Sequence, residues 1–294
     1  MNGHKTVMKT HEKQDSCTAN IGKLKAWFED YVQGFSSDDP VVQENMDLKR
    51  DHTIRVCKAI VDIGNSLHLS KEDLCIAEIS ALLHDIGRFE QYKRYRTFSD
   101  FKSEDHGILG AKIIQDHGIL DGLEKEKADM IVRITRYHNR ASLPSHEDER
   151  CIFFLKMVRD ADKIDIWHVV TDYYHNKANR HNPAIELDLP NTPAVSDPVC
   201  SALMRGQIVQ MTDVKTLNDF KLLQIGWVYD INFPRTFEII REKRYLKKIW
   251  DVLPKTSDKL RKAYERAEAY LNRLTHNGTS QVDGEKSCHI FLHA

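Results

Sequence analysis

The segment Leu74–Arg88, LCIAEISALLHDIGR, limits the possible folds more than any other stretch of the chain. Its helix is apolar nearly all round, so it must run through the middle of a bundle rather than lie on a surface. His84 and Asp85, at the end of that helix, are therefore expected to be buried. A buried carboxylate costs several kcal/mol or more unless a cation meets it. Alone, a helix-end His-Asp pair bonded to backbone would explain the segment as well as a metal would.

The same arrangement recurs along the chain. His52 shares a helical face with Leu48, Val56, Ala59 and Ile63. Asp162 lies on the face of Leu155 and Val158, His138 follows Ile131 and Ile134, and His106 precedes Leu109, Gly110 and Ile113. A single inward histidine is more often satisfied by the backbone than by a metal. Five helices that each aim a His or Asp inward, with no evident counter-ion, are harder to explain that way. Imidazole and carboxylate donors suit Fe, Mn, Zn, Co or Ni, and the lack of thiolates in the set argues against a structural zinc site.

The periodicity and punctuation predict an all-α chain. Residues 1–20 read as a tail. A helical core follows over 21–180, with helices at about 21–31, 40–65, 74–84, 104–117, 123–137 and 150–177. Asp39-Pro40 and Ser70 supply helix starts, Ser103 is the expected cap of the 104–117 helix, and Gly87 and Gly118 are expected to end helices in left-handed caps. Residues 181–198 hold four of the eight prolines and read as a surface loop. Helical patterning resumes over 199–275, interrupted near Asn232-Phe233-Pro234 and at Pro254, as an extension packed on the core. Residues 276–294 read as a second tail.

Bulk properties exclude several classes. Lys plus Arg number 43 against 44 Asp plus Glu, so no general field exists for nucleic acid or an acidic membrane. No apolar run reaches the ~18 residues of a membrane span, and the polar N-terminus does not resemble a signal peptide. The six cysteines are scattered without C-x-x-C spacing, which predicts free thiols and a cytoplasmic protein. Phosphate loops, dinucleotide fingerprints, H-E-x-x-H and G-x-S-x-G are all missing.

His52…His84-Asp85…Asp162 resembles the H…HD…D signature of the HD-domain superfamily of metal-dependent phosphohydrolases, and "LLHDIGRF" and "DADKID" are similar to its motifs. The resemblance spans roughly residues 48–175. It implies an HD-domain helical bundle with a C-terminal helical extension. In that family pattern His52, His84, Asp85 and Asp162 hold one divalent transition metal. Asp85 bridges to a second, completed by His106 and His138, which resemble the histidines of two-metal members.

The implied activity is hydrolysis of a phosphate ester in a nucleotide or other small phosphorylated metabolite, with a metal-bound hydroxide as nucleophile. Asp85, Arg88 and Lys163 are the expected catalytic residues: Arg88 because its fork suits phosphate, Lys163 because it follows Asp162. Pairing with Asp160 or Asp165 is the competing expectation for Lys163. Arg88 stands where members that hydrolyse cyclic di-GMP carry lysine, their GYP element is missing, and Leu48 replaces a frequent glutamate. A cyclic dinucleotide is thus not the favoured substrate. Residues 216–233 also resemble bacterial HD proteins. An HD-fold di-iron oxygenase and a non-catalytic nucleotide-binding protein are the alternatives, and homo-oligomerisation is left open.

Overall fold

Asp39 starts the first long core helix as the sequence predicts: its Oδ1 accepts from the amides of Val41 and Val42, and Pro40 occupies the first helical position. The computed structural model describes residues 20–176, 181–255 and 257–276, all helix, turn and loop, with no strand among them. The two expected tails therefore lie outside the described residues, apart from the junction residues Asn20 and His276.

In chain order the helices are α1 (20–33), α2 (Pro40–Ser66), α3 (Lys71–Leu83), α4 (Gly87–Tyr95), α5 (His106–Asp116), α6 (Lys125–Tyr137) and α7 (Glu149–His175). They continue with α8 (Pro183–Glu186), α9 (Asp197–Met204), α10 (Leu217–Gly226), α11 (Pro234–Lys243), α12 (Tyr245–Asp251) and α13 (Asp258–His276). α3 packs between α2, α6 and α7, and its Ile76, Ala77, Ile79, Leu82 and Leu83 are buried. The apolar-all-round segment thus occupies the centre of the bundle.

Three local expectations need correction. Gly87 does not end α3 in a left-handed cap; it opens α4, an element absent from the sequence reading. A Cβ at Gly87 would sit 2.3 Å from the His106 carbonyl oxygen and 2.8 Å from the Gly110 nitrogen. The glycine is there for close helix approach, not for a positive φ. The helix after it is capped by Asp105 rather than Ser103, through Oδ1 to the amides of Gly107 and Ile108. The proline-rich stretch contains α8 and the start of α9. Gly118 does adopt the left-handed conformation, at φ 58°.

Of the helices beyond residue 197, α11 and α12 pack on α7, and α10 bonds to it. The indole of Trp167, fully buried, donates to the Gln224 carbonyl of α10 at 2.9 Å. Two turns back, the buried Asp160 carboxylate accepts from Asn232 and from the Phe233 amide at the start of α11. Cys57, Cys151 and Cys200 are buried free thiols, but Cys75 is disulfide-bonded, so the expectation of free cysteines fails there. No described helix is long and apolar enough to cross a membrane.

Candidate metal centre

Helix geometry brings all six predicted ligand residues to one place. His52 comes from the middle of α2, His84 and Asp85 from the end of α3, and His106 from the first position of α5. His138 caps the C-terminus of α6, and Asp162 projects from α7. The four histidines and Asp85 are at most 5% exposed. The Asp162 side chain, 21% exposed, is the most accessible of the set, so solvent reaches the centre from its side.

The Asp85 carboxylate divides the cluster in two. Its Oδ2 faces His52 Nε2 at 3.4 Å and His84 Nε2 at 3.8 Å; its Oδ1 faces His106 Nε2 at 3.2 Å and His138 Nε2 at 3.6 Å. Asp162 Oδ1 closes the first group, 3.2 Å from His52 Nε2 and 3.7 Å from His84 Nε2. Two donors at right angles on an ion with bonds of about 2.1 Å are about 3 Å apart, so these separations suit a shared cation.

The outer nitrogens of the histidines decide how the rings are aimed. His84 Nδ1 meets the Ala81 carbonyl and His138 Nδ1 the Thr135 carbonyl, each at 2.7 Å. Facing a carbonyl, Nδ1 must carry the proton, which leaves Nε2 with a lone pair in the neutral ring. His52 Nδ1 lies 2.7 Å from Asp165 Oδ2, and His106 Nδ1 2.8 Å from both Asp100 oxygens. Partners of this kind fix the tautomer and raise the basicity of the inner nitrogen in metal sites.

That arrangement leaves inner atoms without ordinary partners. His52 Nε2 and His84 Nε2 are buried without a hydrogen bond, and the Nε2 atoms of His106 and His138 lie 3.0 Å apart. Four inward nitrogens around two carboxylates fit a divalent cation on each side of Asp85 better than they fit one another. Among the described residues, two groups meet the geometric conditions for holding an ion: His52, His84 and Asp85; and Asp85, His106 and His138.

Electrostatics keep Asp85, Asp162 and His138 in ligand form. Burial alone would raise the Asp85 carboxyl, but the Lys49 ammonium and surrounding imidazoles hold it well below the usual carboxylate range. Burial is likewise outweighed at Asp162, by His52 and His84. His138 is pushed down to about 4, chiefly by burial, so its ring is neutral near pH 7. At His52, burial and Lys49 oppose the charge, but Asp162 and Asp165 outweigh them and raise the pKa.

Four contributors escaped the sequence reading. Asp165 and Asp100 anchor His52 and His106, Asn139 donates to Asp100, and Lys49 Nζ lies 2.7 Å from Asp85 Oδ2. Asp165 and Lys49 each lie one helical turn from a ligand, a spacing that could have found them. Asp100 sits in a 3-10 turn, Asp100–Lys102, that gives no periodic signal.

Both expected phosphate contacts bond to protein, although Arg88 Nε has no hydrogen-bond partner and lies 3.5 Å from Asp85 Oδ1. Arg88 Nη1 donates to Gln91, the Phe98 carbonyl and Asp100, so its guanidinium braces the loop that carries Asp100. Lys163 pairs with neither Asp160 nor Asp165. Its Nζ lies 2.7 Å from Asp230 Oδ2, beside Arg159, and only 9% of its side chain is exposed.

The model of the family described as "HD domain" matches residues 50–167. Residues 50–167 form an HD domain. The matched stretch runs from just before His52 to just beyond Asp162 and contains all six residues of the centre. HD domains are mostly metal-dependent hydrolases, which accords with a buried His/Asp cluster able to hold a metal. Neither a curated protein nor a solved structure gives a significant match to the chain. The helices from α8 onward lie outside the matched HD domain.

Proposed function

We propose that this protein is a metal-dependent phosphohydrolase that cleaves a phosphate ester of a small phosphorylated metabolite, nucleotides included. The observation that carries the reading is Asp85, whose two oxygens each face a pair of histidine nitrogens already oriented from behind. His52, His84 and Asp162 would hold one divalent ion and His106 and His138 the other, with Asp85 shared. When bound, such ions polarise phosphoryl oxygens and lower the pKa of water from 15.7 towards about 7.

The chain's own residues prepare that chemistry. Asp85 and Asp162 stay ionised across the neutral range and act as ligands rather than as proton donors. Asp100, Asp165 and two backbone carbonyls keep each imidazole aimed inward. Arg88 and Lys163 act at one remove, as positioning residues, the first on the Asp100 loop and the second on α7.

The test is metal analysis of purified protein, followed by phosphate release from phosphomonoesters, nucleotides and alarmones with Mn²⁺, Fe²⁺, Co²⁺ or Ni²⁺ under nitrogen. Turnover without O₂ is expected, and Asp85→Ala should lose bound metal and turnover together. Undiminished activity in that variant would reject the site. A strict requirement for O₂ would favour the oxygenase alternative instead.

A further inference from the structure

Most cations around the centre are committed to protein anions. Arg55 pairs with Asp165 through Nε at 2.6 Å and Nη2 at 3.1 Å. Arg88 braces Asp100 through Nη1, with its Nε 3.5 Å from Asp85 Oδ1, and Arg159 and Lys163 share Asp230. Lys49 differs. Its ammonium bonds to Asp85 Oδ2, an oxygen of the centre itself, and otherwise lies 5.3 Å from the centroid of the Phe98 ring. Lys49 stands one turn before His52 on α2, so the two side chains leave the same wall of the cluster. Its side chain is 15% exposed.

The oxygen that Lys49 holds is the one an ion between His52 and His84 must use. An ion held by His52, His84 and Asp85 would set a second cation against the carboxylate that Lys49 holds, and the two would repel. That repulsion would weaken the Lys49 bond to Oδ2 and favour release of the ammonium. It is tethered by a flexible four-carbon stem and has no second carboxylate among its described partners, so it stays beside the loaded centre as an unspent positive charge. An anion bound to the metals is what such a charge would meet.

We propose that Lys49 is the substrate-binding cation of this centre: displaced from Asp85 as metal loads, its ammonium receives a non-bridging phosphoryl oxygen of the substrate. This rests on the phosphohydrolase reading above and assigns to Lys49 a phosphate contact of its own, apart from Arg88, whose Nη1 is engaged by Gln91, Phe98 and Asp100. Inorganic phosphate and Mn²⁺ are the probes. Calorimetric titration of metal-free protein with Mn²⁺ should show Lys49→Met binding the ion at least as tightly as the parent, because no ammonium has to be displaced. Titration of the Mn²⁺-loaded proteins with phosphate should show about 10- to 100-fold weaker binding in Lys49→Met, with partial recovery in Lys49→Arg. Lys49→Gln, neutral but still able to donate to Oδ2, serves the same comparison if the methionine variant folds poorly.

Equal phosphate affinity in loaded parent and Lys49→Met would overturn the assignment. So would loss of Mn²⁺ binding in folded Lys49→Met, since that would make the lysine a structural support of the centre. Hydrolysis by the parent is read separately, as phosphate release from p-nitrophenyl phosphate. A parent that binds phosphate through Lys49 but releases none would fail the functional reading and leave the Lys49 contact standing.

Discussion

At the scale of single residues, the histidines of the centre differ in what they do to stability. His138 titrates at about 4 in the folded chain and at about 6.5 when unfolded. Its neutral ring therefore contributes fully above about pH 6.5, and the contribution is lost as pH falls towards 4, up to about 3 kcal/mol. In metal-free protein, His138→Gln should lose less stability than the parent between about pH 7 and pH 4.5, read from urea midpoints. Equal losses would exonerate this ring. His52, raised instead, contributes below its unfolded pKa and loses that contribution as pH rises; it is present in both proteins and cancels in the comparison. Behind His52, Asp165→Asn should lower metal affinity about 10- to 100-fold, measured by competition with a chelator, because the inner nitrogen loses its orienting carboxylate. Unchanged affinity would show that the backbone of α2 alone aims the ring.

Elements deliver these residues through close helix contacts. Gly87 of α4 lies against the His106 carbonyl, and a Cβ at Gly107 of α5 would come within 2.9 Å of the Thr135 and Arg136 carbonyls of α6. These contacts place the starts of α4 and α5 and the end of α6 around the Oδ1 side of Asp85. Gly87→Ala should destabilise by about 1–3 kcal/mol and reduce metal stoichiometry towards one ion per chain, since His106 would shift while His52, His84 and Asp162 stay. Two ions per chain at parental affinity would contradict this. The candidate ligands could be picked out in the sequence because type and helical register coincide: a His or Asp on an otherwise apolar face. Gly87 misled because glycine serves two physical needs, positive φ and close approach, and one chain cannot say which. Helix α4 was hidden behind its basic run, although buried Phe89 and Tyr92, three apart, carried the helical signal. Asp100 was illegible for a different reason: a 3-10 turn meets His106 only after α4 and α5 have packed.

The molecule as a whole couples its C-terminal helices to the centre through α7. Arg159 donates to the carbonyls of His138 and Arg140 and pairs with Asp230, which also holds Lys163. Removing Asp230 leaves two buried cations uncompensated, so Asp230→Ala should cost about 3–5 kcal/mol in chemical denaturation. Adding Lys163→Met should recover part of that loss; a double variant no more stable than the single one would mean that Lys163 carries little of the penalty. The sequence suggested that residues after 199 pack on the core but gave no sign of this pairing, because Arg159 and Asp230 meet only in three dimensions. Within six positions, α7 commits Asp160 to the start of α11, Asp162 to the histidines, Lys163 to Asp230 and Asp165 to His52. One residue inserted there would rotate everything beyond it by about 100° and advance it by about 1.5 Å. No rotamer change spans that displacement for four partners at once. Spacing within this turn and a half is therefore as constrained as residue type: homologous chains should tolerate substitutions here more readily than any change in length.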